Sequence, residues 1–372
     1  MYVNDDSLLK AADKYHYAQG AFNVNTLEQV DAAIRIHEIM HAPLLLQGAQ
    51  LGNAFLGGRA DFGKGTIEDI RKGAKLLADY VKDKAEKTDI PVVLHLDHGK
   101  SFDVVKVCVD AGYSSVMIDG SSLPYDENVA LTKKCVDYAH KFGVTVEGEL
   151  GVIAGQEDHV FAKNSTYTNP LQALDFVKKT GVDSLAISYG TKHGPNKGHD
   201  IELRMQVVTA VKEIFLNEGL DTNIVSHGSS TVPKYIVEDN NRLGGNVDGS
   251  GGIPIDQLQT AIQCGVNKIN IDSDIRLATT RNLRQLGVEH PEVKSDPCTK
   301  HLYELMDQKK GEIDPRQYLE DNMSLVTTNK ARDDAEKLVN LAFHDATQEI
   351  MGQLIVQFGM LGKAWKVKDM IK

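Results

Sequence analysis

Eight short apolar runs recur along the first three quarters of the chain, at residues 20–25, 43–49, 92–99, 115–121, 145–151, 184–190, 223–230 and 268–273. Each has the length of a strand and is apolar enough to be covered on both faces. Nearly every gap between them carries helix signals. Thr26-Leu27-Glu28-Gln29 is a capping box opening a helix with Leu27, Val30 and Ile34 on its apolar side. Ser101 offers an N-cap to a helix carrying Val104, Val105 and Cys108 that stops at Gly112. Asn169-Pro170 opens another that ends at Gly181, and Pro254 begins one that ends at Gly265. Eight strand–helix alternations predict an α/β fold, a parallel (β/α)8 TIM barrel, over residues 1–290. An open doubly wound sheet would show the same alternation, and the count of eight favours closure.

Past residue 290 the pattern changes. Residues 291–315 are charged and irregular, 331–358 read as one or two amphipathic helices, and 362–372 form a basic tail. Residues 291–372 are therefore expected to be a mostly helical C-terminal extension packed on the barrel or on a neighbouring subunit, with a solvated tail as the alternative for the last ten.

A net charge of −11 gives the chain no basic face for a nucleic-acid partner. No apolar run reaches membrane-spanning length, and residues 1–14 contain no signal-peptide core, so a soluble cytoplasmic protein is expected. Cys108, Cys135, Cys264 and Cys298 show no Cys-x-x-Cys spacing and read as reduced thiols.

Three of the runs lead into a histidine followed directly by glycine: His98-Gly99, His193-Gly194 and His227-Gly228. Three imidazoles converging from strand ends, with room left for water or substrate, make an open site for a catalytic zinc ion. In a barrel the active site lies at the C-terminal ends of the strands. Those ends are unusually polar here: Asn23 and Asn25, Asp97, Asp119, Glu147 and Glu149, Asn270 and Asp272. Buried polar groups this dense are costly without partners, and a metal with a polar ligand accounts for them.

His98 is preferred as the ligand from strand three, because it is last in its run, with His95 read as a structural, hydrogen-bonded histidine. Asp97 would point away on an ideal strand, yet at the strand's end it could turn toward the substrate and exchange a proton, or orient an imidazole. The segment 227–230, the glycines at 249–252 and the helix start after Asn270 are suited to phosphate. Lys197 and Arg276 are the nearby cations. The polar stretch 151–169 reads as a mobile lid.

With these residues placed, the chain resembles the class II, metal-dependent fructose-1,6-bisphosphate aldolases. The resemblance rests on His95-Leu96-Asp97-His98-Gly99, Glu147-Gly148-Glu149-Leu150-Gly151, Tyr189-Gly190-Thr191-Lys192-His193-Gly194, Ser226-His227-Gly228-Ser229-Ser230 and Asn270-Ile271-Asp272-Ser273-Asp274-Ile275-Arg276. The tail strings Asp314-Pro315-Arg316 and Phe358-Gly359-Met360-Leu361-Gly362 resemble the longer members. The resemblance implies His98, His193 and His227 as ligands of a catalytic Zn2+ and Asp97 as the acid/base at the C4 hydroxyl. It implies Glu157 as the glutamate that moves the proton at C3. Asp119 and Glu149 match positions for a second divalent ion or an alternative metal position, and a monovalent cation is a further candidate. Gly194, Lys197, Gly228, Ser230, Asp272 and Ser273 fall on the triose-phosphate end, Asn23 near the reacting carbons, Arg276 on the second phosphate, and Asn270 is a further substrate-binding residue.

The implied reaction is reversible aldol cleavage of fructose 1,6-bisphosphate to dihydroxyacetone phosphate and glyceraldehyde 3-phosphate, a step of glycolysis and gluconeogenesis, in a homodimer or homotetramer. Two positions depart from the family pattern. Ser273 stands where threonine is usual and keeps the hydroxyl. The tip of strand two reads Leu46-Gln47-Gly48-Ala49-Gln50 where the family usually shows a serine, which bears on the preferred sugar epimer. Alternatives are a tagatose- or sedoheptulose-bisphosphate aldolase, a metal-dependent barrel hydrolase and a non-catalytic sugar-phosphate-binding barrel. Schiff-base catalysis would need a lysine at a strand's end, and Lys268 begins its run.

Overall fold

The computed structural model describes residues 1–157, 160–198 and 201–371. Eight parallel strands close a barrel: β1 (Gln19–Asn23), β2 (Leu44–Ala49), β3 (Val92–Gly99), β4 (Ser115–Ile118), β5 (Thr145–Leu150), β6 (Ser184–Ile187), β7 (Asn223–Ser226) and β8 (Val266–Ile271). Each strand pairs with its neighbours in chain order, and β1 closes on β8 with Gln19 opposite Lys268 and Ala21 opposite Asn270. Closure settles the choice between barrel and open sheet.

The strands are buried along their whole length because each has two apolar environments to serve. Val116 and Ile118, Leu185 and Ile187, and Ile224 join the main core against the surrounding helices. The residues that alternate with them, Met117, Ala186 and Val225, form a separate small apolar cluster inside the barrel. The same alternation sends Asn23, Gln47, His95, Glu147, Lys268 and Asn270 to the interior, which is far more polar than the branched aliphatic filling usual in such barrels.

Helix boundaries follow their caps. The Thr26 hydroxyl accepts from the Gln29 amide in a complete capping box, and the Ser101 and Asn169 side chains cap their helices in the same way. Gly112, Gly181 and Gly265 end their helices in left-handed conformation. A helix over Asp6–Tyr15, which the sequence reading passed over, precedes β1, and Asp5 at its start accepts a hydrogen bond from Ser115 at 2.8 Å.

Residues 334–357 form one long helix packed against the helices Leu27–Ile39 and Ser273–Glu289 of the barrel. The tail is not a solvated strand of chain: Ala364–Lys368 is a short helix with Ala364 and Val367 buried, and the Ala364 amide donates to the His41 carbonyl at 2.9 Å. The polar stretch after β5, expected to be a mobile lid, contains a hairpin of Ala154–Glu157 and Val160–Ala162 whose first strand pairs in parallel with Lys192–His193. Strands of two to four residues are too short to leave a periodic signature. Among the described residues no helix is long and apolar enough to cross a membrane.

Candidate active site at the strand ends

β3 places two adjacent polar residues in the mouth, which regular alternation forbids. Its pairing with β4 runs His95 to Ser115 and Leu96 to Val116, then jumps to Gly99 opposite Ile118. This is a bulge at Asp97-His98, and His98 takes the left-handed conformation with φ 48°. The local kink turns both side chains into the buried mouth: the period of two that would point Asp97 away on an ideal strand breaks at the bulge, and Asp97 turns inward at the strand's end.

Three imidazoles meet there. The His98 ring centroid lies 4.6 Å from that of His227 and 5.1 Å from that of His193, with His193 and His227 6.4 Å apart. His98 Nδ1 is bonded to Asp119 Oδ2 at 3.0 Å and His227 Nε2 to Glu147 Oε1 at 2.6 Å. In the neutral rings, carboxylates on those nitrogens hold the protons there, so that His98 Nε2 and His227 Nδ1 are the atoms that offer lone pairs to a cation. Both atoms are buried and have no hydrogen-bond partner among the described residues, and each lies 3.9 Å from Asp97 Oδ1. Buried lone pairs without donors beside a carboxylate are a donor set for a divalent cation of zinc type.

His193 is brought in by its backbone. A Cβ at Gly155 would lie 2.3 Å from the His193 carbonyl oxygen, and one at Gly228 would lie 2.6 Å from the Lys192 carbonyl carbon. Gly155 and Gly228 have φ of 109° and 62°, so glycine meets both the conformation and the close approach. The loops after β5, β6 and β7 are thereby stacked on one another.

Asp97 is clamped from two sides. Its Oδ2 accepts from Asn23 Nδ2 at 2.8 Å and its Oδ1 from Asn270 Nδ2 at 2.9 Å. Asn23 is oriented in turn by Gln47 Nε2, which donates to Asn23 Oδ1 at 2.6 Å. Gln47 belongs to the strand-two run that departs from the family pattern, so this run reaches the site through an amide one step behind the carboxylate.

Asp119 also accepts from Lys100 Nζ at 2.5 Å and from the Ser121 hydroxyl at 2.7 Å. Burial would raise the Asp119 carboxyl, but His98 and Lys100 hold it well below the usual range. Burial would lower the His98 imidazolium, but Asp97 and Asp119 outweigh it and push the ring up to about 10. Glu149 is pushed up to about 8 by burial and by the neighbouring Asp119 charge. The potential ligand atoms of His98, Asp119 and Glu149 lie within 4.8 Å of one another, as do those of Asp97, His98 and His227, so two overlapping groups that could hold a cation share His98.

Beside the imidazoles a cleft of about 530 Å3 is lined by His193, Gly194, Ser273, Arg276 and Asp314 among others. Arg276 Nε donates to Asp272 Oδ1 at 2.8 Å and its guanidinium also meets Asp314 at 3.2 Å, so the C-terminal extension contributes to the site wall. Lys197 is buried, and its ammonium donates to the Lys192 carbonyl. The Asp272 amide meets the Ser230 hydroxyl at 3.4 Å. Glu157 ends a strand of the hairpin, and its side chain lies outside what the structure describes.

Sequence reading missed Gln47 and Lys100 as site residues and gave no role to Glu147 and Lys268. Glu147 carried a signal, since it alternates with Glu149 on an otherwise apolar strand. His95 behaves as expected of a structural histidine: Nδ1 bonds the Ser115 hydroxyl at 2.7 Å.

Residues 3–338 match the family described as fructose-bisphosphate aldolase, class II. A fructose-bisphosphate aldolase of Treponema pallidum is 39% identical over 365 residues, covering 94% of this chain and 96% of that protein. One from Giardia intestinalis is 39% identical over 300 residues, covering 78% and 84%. Among solved structures, the YdjI aldolase from Escherichia coli K12 superposes with a TM-score of 0.65 at 24% identity over 98% of this chain and 100% of that one. A fructose-bisphosphate aldolase from Campylobacter jejuni superposes with a TM-score of 0.69 at 18% identity over 97% and 96%.

Proposed function

Since the chain belongs to the class II fructose-bisphosphate aldolase family, we propose that it cleaves fructose 1,6-bisphosphate reversibly to dihydroxyacetone phosphate and glyceraldehyde 3-phosphate, with a zinc ion held by His98, His193 and His227. The observation that carries this reading is the clamped carboxylate of Asp97 lying 3.9 Å from two buried imidazole nitrogens that have no other partner among the described residues. A divalent cation at these nitrogens supplies Lewis-acid polarisation of the substrate's carbonyl oxygen.

The chain's own residues do the rest. Asp97 takes the proton from the C4 hydroxyl as the C3–C4 bond breaks, and the bonding electron pair stays on the C2–C3 unit. Asn23 and Asn270 occupy one lone pair on each Asp97 oxygen and fix the plane of the carboxylate for this transfer. Glu157, on the hairpin strand that pairs with Lys192–His193, returns a proton to C3 of the triose fragment. Gly194, Lys197, Gly228, Ser230, Asp272 and Ser273 hold the triose-phosphate end, and Arg276 the second phosphate. Asp119 and Glu149 would take a second divalent ion or, together with His98, hold the one ion in an alternative position.

The deciding experiment is a coupled assay of fructose 1,6-bisphosphate cleavage, run with chelator and then with zinc added back, with parallel arms on tagatose and sedoheptulose bisphosphates. Cleavage of the fructose ester that is lost to chelator and restored by zinc is expected. Undiminished turnover in chelator would refute the metal site, and faster cleavage of another bisphosphate would reassign the substrate.

A further inference from the structure

Below the mouth, the barrel axis holds four ionisable groups that the aldol chemistry does not use: Glu147, Lys268, His95 and Asp5, each at most 1% exposed. Lys268 Nζ donates to Glu147 Oε2 at 2.6 Å and to His95 Nε2 at 3.1 Å. An ammonium has no acceptor, so His95 Nε2 must accept and its Nδ1–H must donate to Ser115 Oγ. Ser115 then donates to Asp5 Oδ2 at 2.8 Å. In the other direction Glu147, ionised opposite the lysine, can only accept at Oε1, which fixes the His227 proton on Nε2. One cation at the centre thus sets the direction of every bond from the barrel floor to the mouth. At the far end His227 Nδ1 is left as a lone pair facing His98 and Asp97.

An ion pair kept only for packing has cheaper substitutes, because apolar side chains of similar volume fill barrel interiors at least as well. Met117, Ala186 and Val225 do so elsewhere in the same barrel. What aliphatic filling cannot do is hold an imidazole in one tautomer. We infer that Lys268 is a positioning residue: through Glu147 it locks His227 with its proton on Nε2, and so sets the affinity of the barrel mouth for its divalent cation. The inference rests on the metal-site reading above.

The test compares wild type with Glu147→Leu, which removes the acceptor facing His227, Lys268→Met and the double variant carrying both. Zinc affinity is read by competition with a chromogenic chelator, folding by Tm, and the His227 tautomer by 15N spectra of histidine-labelled protein. Both single variants should bind zinc about 10–100-fold more weakly, the range seen when a carboxylate behind a metal-bound histidine is lost. The double variant is charge-balanced, and it should recover Tm without recovering affinity. It carries the test alone if a single variant does not fold. A double variant that binds zinc as tightly as wild type would show a structural ion pair and overturn the inference. Wild type failing to bind zinc would instead remove the metal site itself.

Discussion

Replacing Asp97 by asparagine separates its proposed chemistry from its structural role. Both Asp97 oxygens accept from side-chain amides, Asn23 at 2.8 Å and Asn270 at 2.9 Å. Asparagine keeps one acceptor and turns the other into a donor, so one neighbour must flip. Asn23 cannot do so cheaply, because its Oδ1 is occupied by Gln47 Nε2 at 2.6 Å. Asn270 can, because its Oδ1 is buried with no partner among the described residues and would accept from the new amide. Asp97→Asn therefore keeps both contacts and loses only their charge-assisted character, about 1 kcal/mol per bond. Asp97→Ala would strand two buried amides at about 1–3 kcal/mol each. The expected result is a Tm within a few degrees of wild type and cleavage of fructose 1,6-bisphosphate slower by about 10²–10⁴-fold, the usual loss with a general base. Zinc affinity, measured on the same sample, should change less than turnover does. Turnover within a few-fold of wild type would show that Asp97 does not carry the C4 proton. A loss of zinc affinity matching the loss of rate would make it a metal ligand instead.

Gly155→Ala puts a Cβ 2.3 Å from the His193 carbonyl oxygen and should cost about tenfold or more in zinc affinity. Gly143→Ala, with φ 69° and open space, is the control for backbone strain alone; equal affinities in the two variants would refute the coupling. The neighbouring Asp97 and Asp119 carboxylates hold the His98 ring up to about 10, so zinc must displace the proton that its Nε2 retains at neutral pH. Zinc affinity should rise with pH between 6 and 9, with proton release on zinc addition in a weakly buffered calorimetric titration; a flat profile would contradict that protonation state. His37 is buried, bonded only through Nδ1 to the Ala33 carbonyl, and burial holds its ring at about 4. The unfolded chain takes up that proton first, so its contribution is full above pH 6.5 and falls away toward pH 4. His37→Phe should remove about 2 kcal/mol of acid sensitivity at pH 5 in denaturant titrations, and an unchanged difference between pH 7 and pH 5 would refute the assignment.

Much of the fold was legible because its signals are local. A strand buried on both faces must be apolar throughout, and a helix end must satisfy its own orphaned groups. The runs containing Leu44–Leu46 and Val92–Leu94, and the caps at Thr26, Ser101 and Asn169, could therefore be read residue by residue. The three clustered histidines were legible for a related reason: each stands next to a glycine, where a strand gives way to a loop. The hairpin after β5 was not, because its pairing partner, Lys192–His193, lies about 30 residues on and neither segment is long enough to show a pattern.

The orienting residues were hidden for a different reason. Gln47, Glu147 and Lys268 act through geometry that only closure creates. Glu147 and Lys268 are 121 positions apart, yet they meet at 2.6 Å across the barrel interior. A sequence pattern records which residues face inward, but not which inward residues on distant strands share a layer. That depends on the shear of the closed sheet and on local bulges such as the one at Asp97-His98. The bulge shows the limit most clearly. A strict period of two puts Asp97 on the wrong face, and one left-handed residue puts it beside both imidazoles. The chemistry proposed here thus depends on a single break in the regularity that made the barrel readable.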